Sequence, residues 1–315
     1  TLFIATMYFG FRMVDNLAAS RHKSPPWKDI IITGILIGLA TNLRIIGPLL
    51  GIMLFAYATL KKKFKILFWF IPTAFIAILI TYITWPYLWD APIAKFIEIL
   101  QTMANYPVSP KTLFYGTPYK SYEVPLRYLP VLLGITLTEP VWLLFAFGMS
   151  NILYRLYKKN IEWRSLSIIL FWFFFMIAYV LIMRPAMYDN YRHFLFILPP
   201  IFIVIGFAFE KFFVWIRAPW MRAVIVLAFL IFGINGIIEL HPYQYTYYNA
   251  ITGGTGGAEG SYETDYWLTC YKEALEKFGN FTEKEETLIV FREAPNAAYY
   301  APEHINVIGY RQLEP

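Results

Sequence analysis

Long apolar stretches alternate along this chain with short loops, and Lys and Arg recur in the loops at every second crossing. Hydrophobic residues make up 58% of the chain, and the mean hydropathy is +0.49, well above the apolar content of a soluble domain. About 20 apolar residues in a helix span the hydrocarbon core of a bilayer. The sequence therefore predicts an all-α polytopic membrane protein, built as a bundle of membrane-spanning helices.

Five stretches suit single crossings, and a sixth, longer region needs a break. The five are 1–17, 66–86, 166–183, 194–213 and 223–239. A continuous helix over 30–60 would be about 46 Å long, too long for one comfortable crossing. Its middle contains Gly47 and Pro48, which favour a break. Basic residues flank both ends, so we predict a hairpin with Arg44 near its outer tip. These flanking residues are Arg21, Lys23, Lys28, Lys61, Lys62, Lys63 and Lys65.

The region 126–156 divides at Thr138-Glu139-Pro140, where Thr suits a helix cap and Pro suits the first turn of a new helix. The earlier piece, 126–137, is too short to span and is placed in or near the outer interface. With this choice the basic loops fall inside and the acidic tail falls outside. The inner loops are 18–29, 61–65, 155–165 and 211–222, and the outer segments are 87–125, 184–193 and the tail after 240.

These assignments give a helix bundle over 1–239 and an extracytoplasmic segment over 240–315. In the outer loop 87–125, apolar residues recur at helical spacing over 92–106. This pattern predicts an amphipathic helix, either in the headgroup region or packed on the membrane domain. A helix over 265–278 and a strand over 287–291 make the tail a small α/β appendage.

Composition excludes several kinds of site. The net charge of +6 follows from basic residues at the ends of apolar runs, so we expect membrane lipids as partners and no nucleic acid. A single cysteine, Cys270, excludes an internal disulfide, and no Cys/His cluster has metal-ligand spacing. The chain starts inside an apolar run at Thr1, so we expect that an N-terminal part is missing.

Arg44 is a charged residue within an apolar region. Such a charge costs about 2.5–3.5 kcal/mol on insertion scales unless it faces a partner or a water-filled cavity. Arg44 is therefore a candidate functional residue, with Asn42 in the same cavity. The alternative is that its side chain reaches out to the outer headgroups.

The turn 184–193 concentrates ionisable side chains between two predicted spans: Arg184, Asp189, Arg192 and His193. Guanidinium groups bind phosphate oxygens bidentately, so two arginines at the mouth of a helix bundle suit a phosphate. Asp189 could orient an arginine or take part in acid–base chemistry. The alternative is a short polar turn without a ligand.

The outer segment 113–123 mixes aromatic rings with hydroxyls and charges, including Tyr115, Tyr119 and Lys120. These groups suit contacts with a sugar or an acceptor, and they equally suit an interfacial aromatic belt. Glu139 is a further candidate contact at the outer mouth of a span, although its interaction with a helix N-terminus already explains it.

The stretch 34–44, followed by Gly47-Pro48, resembles the glycine-rich hairpin with a basic residue found in C-type glycosyltransferases. The resemblance is strongest to the prokaryotic protein-mannosyltransferase-like and lipid A aminoarabinose transferase-like membrane enzymes. The segments 85–89, 191–200 and 247–267 are also similar to that group.

This resemblance implies an inverting enzyme that takes a sugar from a polyprenyl-phosphate carrier. The sugar is transferred on the extracytoplasmic side to a lipid, glycan or protein acceptor. The resemblance matches Arg44 and Arg192 to residues that hold the donor phosphate as it leaves. His193 and Arg184 are candidate additional phosphate contacts, and Asn42 and Asp189 are candidate supporting residues.

In that family an acidic residue in the first outer loop acts as base, and we expect it in the missing N-terminal part. Some C-type enzymes use a divalent metal, so a metal is possible although the sequence shows no ligand set. The implied location is the plasma membrane.

Two other functions compete with the transferase. One is a transporter or flippase of a lipid-linked glycan, although such folds often show matching broken helices in two halves and only one broken hairpin is visible. The other is a non-catalytic assembly subunit.

Overall fold

The computed structural model describes residues 1–19, 25–104, 109–282 and 284–312. The predicted basic residues Arg21 and Lys23, and the end of the predicted helix 92–106 at Asn105 and Tyr106, lie outside these ranges. In chain order, the elements of the described chain are α1 Leu2–Ala19, α2 Trp27–Leu43, α3 Pro48–Leu60, α4 Phe70–Thr84, α5 Pro92–Ala104, β1 Lys111–Phe114, β2 Thr117–Lys120, α6 Tyr128–Thr136, α7 Pro140–Tyr157, α8 Trp163–Met183, α9 Leu198–Trp215, α10 Pro219–Glu239, α11 Gly254–Ala258, α12 Tyr271–Phe281, β3 Glu286–Val290, α13 Ala294–Tyr300 and β4 Ile305–Gly309.

Four helical segments of the described chain are long and apolar enough to cross a membrane. They are Phe64–Thr84, Trp163–Met183, Arg192–Trp215 and Pro219–Glu239, two of which begin with a 3-10 turn that precedes α4 or α9. The pair α6 and α7, bent by 108°, provides a fifth if it counts as one span. The predicted mainly helical fold, with several helices long and apolar enough to cross a membrane, is confirmed.

Both predicted helix breaks are present. α2 ends at Leu43 and α3 begins at Pro48. A Cβ at Gly47 would lie 2.4 Å from the backbone nitrogen of Thr41, so the close turn between the two helices requires glycine. The second break separates α6 from α7, which begins at Pro140 as expected of a proline in the first helical turn.

Small residues let the helices approach one another closely. Gly34 and Gly38 of α2 face α4. A Cβ at Gly34 would lie 2.8 Å from the carbonyl oxygen of Thr73, and a Cβ at Gly38 would lie 2.7 Å from that of Ala77. This four-residue spacing of glycines is the close-packing pattern of membrane helices. α7 and α9 meet in the same way, because a Cβ at Gly148 would lie 2.2 Å from the carbonyl oxygen of Val204.

The chain divides into two compact units. The first contains Thr1–Thr112, Tyr119–Gly134 and Pro140–Val224, and the second contains Leu113–Pro118, Ile135–Glu139 and Ile225–Pro315. At one end of the first unit, polar groups join α1, α2 and α3. Arg12 pairs with the buried Asp29 at 3.2 Å, and Lys61 pairs with Asp15 at 2.9 Å.

In the second unit, β3 and β4 pair in parallel with α13 between them, a short β-α-β connection. The predicted strand 287–291 is confirmed within one residue. The predicted helix 265–278 is wrong at its start, because α12 begins at Tyr271. The carboxylate of Asp265 instead accepts hydrogen bonds from the backbone N–H groups of Thr269 and Cys270, which holds a turn before the helix.

Candidate functional site

Arg44 follows the last residue of α2 and lies at the break before α3. Its backbone is extended, with φ −150° and ψ 124°, so the side chain leaves the helix direction. Nη1 lies 2.9 Å from Nδ1 of His193, and Nη2 donates to the carbonyl oxygen of Arg192 at 3.4 Å. Two predicted site regions, the α2–α3 break and the turn 184–193, therefore meet in space.

Arg192 is held from two sides. Its Nη2 lies 2.6 Å from Oδ2 of Asp189, and both side chains are largely buried, with 27% and 15% of their surface exposed. Its guanidinium also lies over the ring of Tyr188, 5.3 Å from the centroid. The Tyr188 ring packs against His193 as well, at 4.9 Å between centroids. Asp189 therefore pairs with an arginine, and its two predicted roles stay predictions.

The loop that carries these groups has a fixed shape. Asp189 and Asn190 both adopt positive φ values of 52° and 62°, which Asp and Asn tolerate better than most residues. The backbone N–H of Met187 donates to the carbonyl oxygen of Ser121 at 2.7 Å. The end of β2 is thus bound to this loop, and Lys120 lies one residue from that bond.

Arg44, Asp189, Arg192 and His193 form a cluster that has a net positive charge. A guanidinium has no acceptor, so the imidazole nitrogen that faces Arg44 must accept the hydrogen bond and His193 is neutral. Two guanidinium charges and the Asp189 carboxylate leave one net positive charge. A set of fixed N–H donors with this charge suits an anion whose oxygens accept hydrogen bonds.

An apolar cavity of about 700 Å³ lies in the same unit. α2, α3, α4 and α5 line it, and its wall includes Thr41 and Pro48, which flank the break at Arg44. α5 contributes Ile93, Phe96 and Ile97 to the wall. α5 confirms the helix predicted in the outer loop. Ile93 and Ile97 remain 77% and 48% exposed, so both predicted positions, in the headgroup region or packed on the bundle, stay predictions.

Of two further predicted residues, Asn42 lies beside Arg44 and Arg184 lies at the start of the turn 184–193. Asn42, on the last turn of α2, donates to the hydroxyl of Thr84 at the end of α4, and Thr84 donates to the carbonyl of Ile80 at 2.7 Å. Asn42 thus links the two helix ends beside Arg44. Arg184 ends α8 with φ 47° and its side chain is exposed.

The remaining candidates lie elsewhere. In the first unit, Tyr119 is partly buried on β2, and Lys120 pairs with Glu123 at 3.7 Å with both side chains about half exposed, 53% and 51%. In the second unit, Tyr115 sits in the β1–β2 turn with its ring 5.4 Å from that of Tyr262. Glu139 accepts from the backbone N–H of Ala250 at 2.7 Å, which is a structural contact.

No family model, no curated protein and no solved structure matches this chain. Among the described residues, no group of three or more His, Cys, Asp or Glu side chains is arranged to hold a metal ion.

Sequence reasoning missed Tyr188, Thr84 and Ser121. Tyr188 lies four residues before Arg192, within a turn already identified as polar, so the aromatic partner of that arginine was available as a signal. Thr84 and Ser121 contact the site from other segments, and no local pattern in the sequence indicates those pairings.

Proposed function

We propose that this chain binds a polyprenyl-phosphate-linked sugar and belongs to a glycosyltransferase that passes the sugar to a lipid, glycan or protein acceptor. The observation that supports this most is the contact of Arg44 with His193 and with the backbone carbonyl of Arg192, in the unit that also contains the apolar cavity beside Thr41 and Pro48. Fixed guanidinium groups suit a phosphate, and an apolar cavity suits the lipid attached to it.

The charge of the cluster fits the proposed chemistry. The phosphodiester of a lipid-monophosphate sugar carries one negative charge, which matches the one net positive charge of the cluster. An acceptor hydroxyl attacks the anomeric carbon, the bond from that carbon to the phosphate oxygen breaks, and its electron pair stays on the phosphate. Arg44 and Arg192 stabilise this developing negative charge.

Attack from the face opposite the leaving phosphate inverts the anomeric carbon. The hydroxyl proton passes to a base, and no residue of this chain is assigned to that role. The cluster therefore contributes donor binding and leaving-group stabilisation. Neither role requires a metal contact from the residues named here.

The membrane side follows from the positive-inside rule. Lys61, Lys62, Lys63 and Lys65 follow α3 at the end opposite Arg44. We place those lysines in the cytoplasm and the Arg44 end on the extracytoplasmic side of the plasma membrane. The same rule places the tail after 240 outside.

Lys120 is the best candidate for an acceptor or sugar contact, because the neighbouring Ser121 is bonded to the loop that carries Asp189 and Arg192. Tyr119 is the next candidate on the same strand. Tyr115 and Glu139 have weaker support, since Glu139 already accepts from a backbone N–H.

The test is transfer of radiolabelled sugar from synthetic polyprenyl-phosphate donors in membranes that contain the full-length protein. Arg192→Ala should abolish transfer, whereas the matched control Arg217→Ala, an exposed arginine of the α9–α10 loop, should not. If no donor gives transfer but the lipid-linked sugar crosses the membrane, the protein is a flippase. Transfer that continues with Arg192→Ala in a folded protein contradicts the proposed role of the cluster.

A further inference from the structure

His193 is joined to the cluster through one ring nitrogen only. Nδ1 faces Arg44 at 2.9 Å. Because guanidinium nitrogens only donate, Nδ1 carries no proton and Nε2 carries the single proton of the neutral ring. Arg44 thus fixes the tautomer of a histidine in another segment of the chain.

The protonated nitrogen, Nε2, has no hydrogen-bond acceptor among the described residues. It is also shielded from solvent. Buried donors are almost always paired, and a donor left unpaired is unfavourable. An unpaired donor beside two arginines indicates an acceptor that arrives with a ligand.

The acceptor must be an oxygen that tolerates positive neighbours. Arg44 contacts the imidazole and Arg192 precedes it in the chain, so a further cation is disfavoured there and an anionic oxygen is favoured. The ring of Tyr188 lies against the imidazole with centroids 4.9 Å apart, and Tyr188 is in the loop between α8 and α9.

We propose that Arg44 acts as a positioning residue that holds His193 as the Nε2–H tautomer, and that this N–H donates to a phosphate oxygen of the bound ligand. The second part rests on the proposed function, and the first part does not. Arg44 therefore has two tasks, since its charge attracts the phosphate and its hydrogen bond fixes the donor on His193.

Glutamine and asparagine substitutions separate the two ring nitrogens. The amide nitrogen of Gln reaches the position of Nε2, and that of Asn reaches the position of Nδ1. His193→Gln should keep the affinity for a polyprenyl monophosphate within about threefold, whereas His193→Asn should lower it about 10- to 100-fold, as expected for a lost hydrogen bond to a charged group. Binding is measured with the purified full-length protein in lipid nanodiscs.

The tautomer is measured separately by ¹⁵N NMR of histidine-labelled protein, with the His193→Gln variant to assign the signal. The wild-type protein should show His193 protonated at Nε2 alone, and Arg44→Gln should show a mixture of tautomers. Protonation at Nδ1 in the wild-type protein would overturn the positioning role even if the phosphate binds. Equal losses for His193→Gln and His193→Asn in folded protein would overturn the donor role.

If the wild-type protein shows the Nε2–H tautomer but binds no polyprenyl monophosphate, the proposed function fails while the positioning role stands. Inorganic phosphate is the second probe in that case. Binding of inorganic phosphate that depends on His193 in the same way would assign the site to a free phosphate, and no binding of either probe would overturn the phosphate contact.

Discussion

Arg44 and His193 are in contact at 2.9 Å although 149 positions separate them in the sequence. The contact joins the break between α2 and α3 to the turn that precedes α9. Each segment carries a charge at a place where the membrane helices are interrupted. Their contact brings the two polar interruptions together in one cluster of Arg44, Asp189, Arg192 and His193.

The close approach of α2 to α4 predicts that Gly38 tolerates no side chain. Gly38→Ala should lower the free energy of unfolding by about 1–3 kcal/mol, because the new Cβ would press on the backbone carbonyl of Ala77. Gly51→Ala is the matched control on α3, since its Cβ would have ordinary contact with Ile37 at 3.8 Å. Thermal unfolding followed by size-exclusion chromatography compares the two. Equal stability of both variants would show that the α2–α4 contact is looser than described.

Glu139 should behave as a structural residue. In Glu139→Gln the Oε1 atom still accepts from the backbone N–H of Ala250, so sugar transfer should stay within about threefold of the wild-type rate. If Glu139 acted as a general acid or base, Glu139→Gln would abolish its catalytic function, because an amide does not titrate. Loss of transfer with normal folding would show that Glu139 has a role beyond this structural contact.

Asn249 joins the segment 135–137 to the tail within the second unit. This buried residue donates from Nδ2 to the carbonyl oxygen of Leu137 at 2.8 Å, and its backbone N–H donates to that of Ile135 at 2.8 Å. Asn249→Ala should therefore lower the free energy of unfolding by about 1–3 kcal/mol, because it removes the bond to Leu137 and the bond that Oδ1 accepts from the backbone N–H of Ile251. A stability unchanged within about 0.5 kcal/mol would contradict this account.

The turn before α12 predicts a loss of stability in acid. Burial alone would raise the pKa of Asp265, but hydrogen bonds from the Cys270 and Tyr245 side chains and the backbone lower it below 3.8. A carboxyl group with a lowered pKa stabilises the fold fully above its unfolded pKa, and the contribution is lost as the pH falls through the folded value. The protection factors of the α12 amides, which correct for the intrinsic pH dependence of exchange, should therefore fall below about pH 4 in the wild-type protein.

Asp265→Asn is the comparison for that measurement. This variant should exchange faster already at neutral pH and should lose most of the acid dependence, because Asn does not titrate. The partner Tyr245 has its pKa raised to about 12 by burial and by its bond to Asp265, so it stays protonated throughout. An acid dependence that persists in Asp265→Asn would assign the effect to another carboxyl group.

Asp189 lowers the net charge of the cluster that contains Arg44, Arg192 and His193. Asp189→Asn keeps an oxygen for Arg192 but raises the net charge of the cluster from one to two positive charges. One extra charge acting at about 10 Å with an effective dielectric constant of about 20 contributes about 1.7 kcal/mol. The affinity for a polyprenyl diphosphate should therefore rise by about tenfold relative to the monophosphate. Asp90→Asn, an exposed acid paired with Lys95, is the control and should leave this ratio unchanged.

The sequence predicted the local features of this protein well. Both helix breaks are predicted, because Gly47, Pro48 and Pro140 each disfavour a continuous helix whatever the rest of the chain does. The helix start at Tyr271 is not predicted, because it depends on the side chain of Asp265 bonding to backbone groups ahead of the helix. The pairing of Arg44 with His193 depends on how separate segments pack, which no local pattern contains.

In the proposed function, Arg44 and Arg192 hold the phosphate of a lipid-linked ligand. The most direct measurement is the affinity of the purified full-length protein for a polyprenyl monophosphate, compared among the wild type, Arg44→Ala, Arg192→Ala and the control Arg217→Ala. Each cluster variant should bind about 10- to 100-fold more weakly than the wild type, and Arg217→Ala should bind within about twofold. Equal affinity of all four folded proteins would contradict the account.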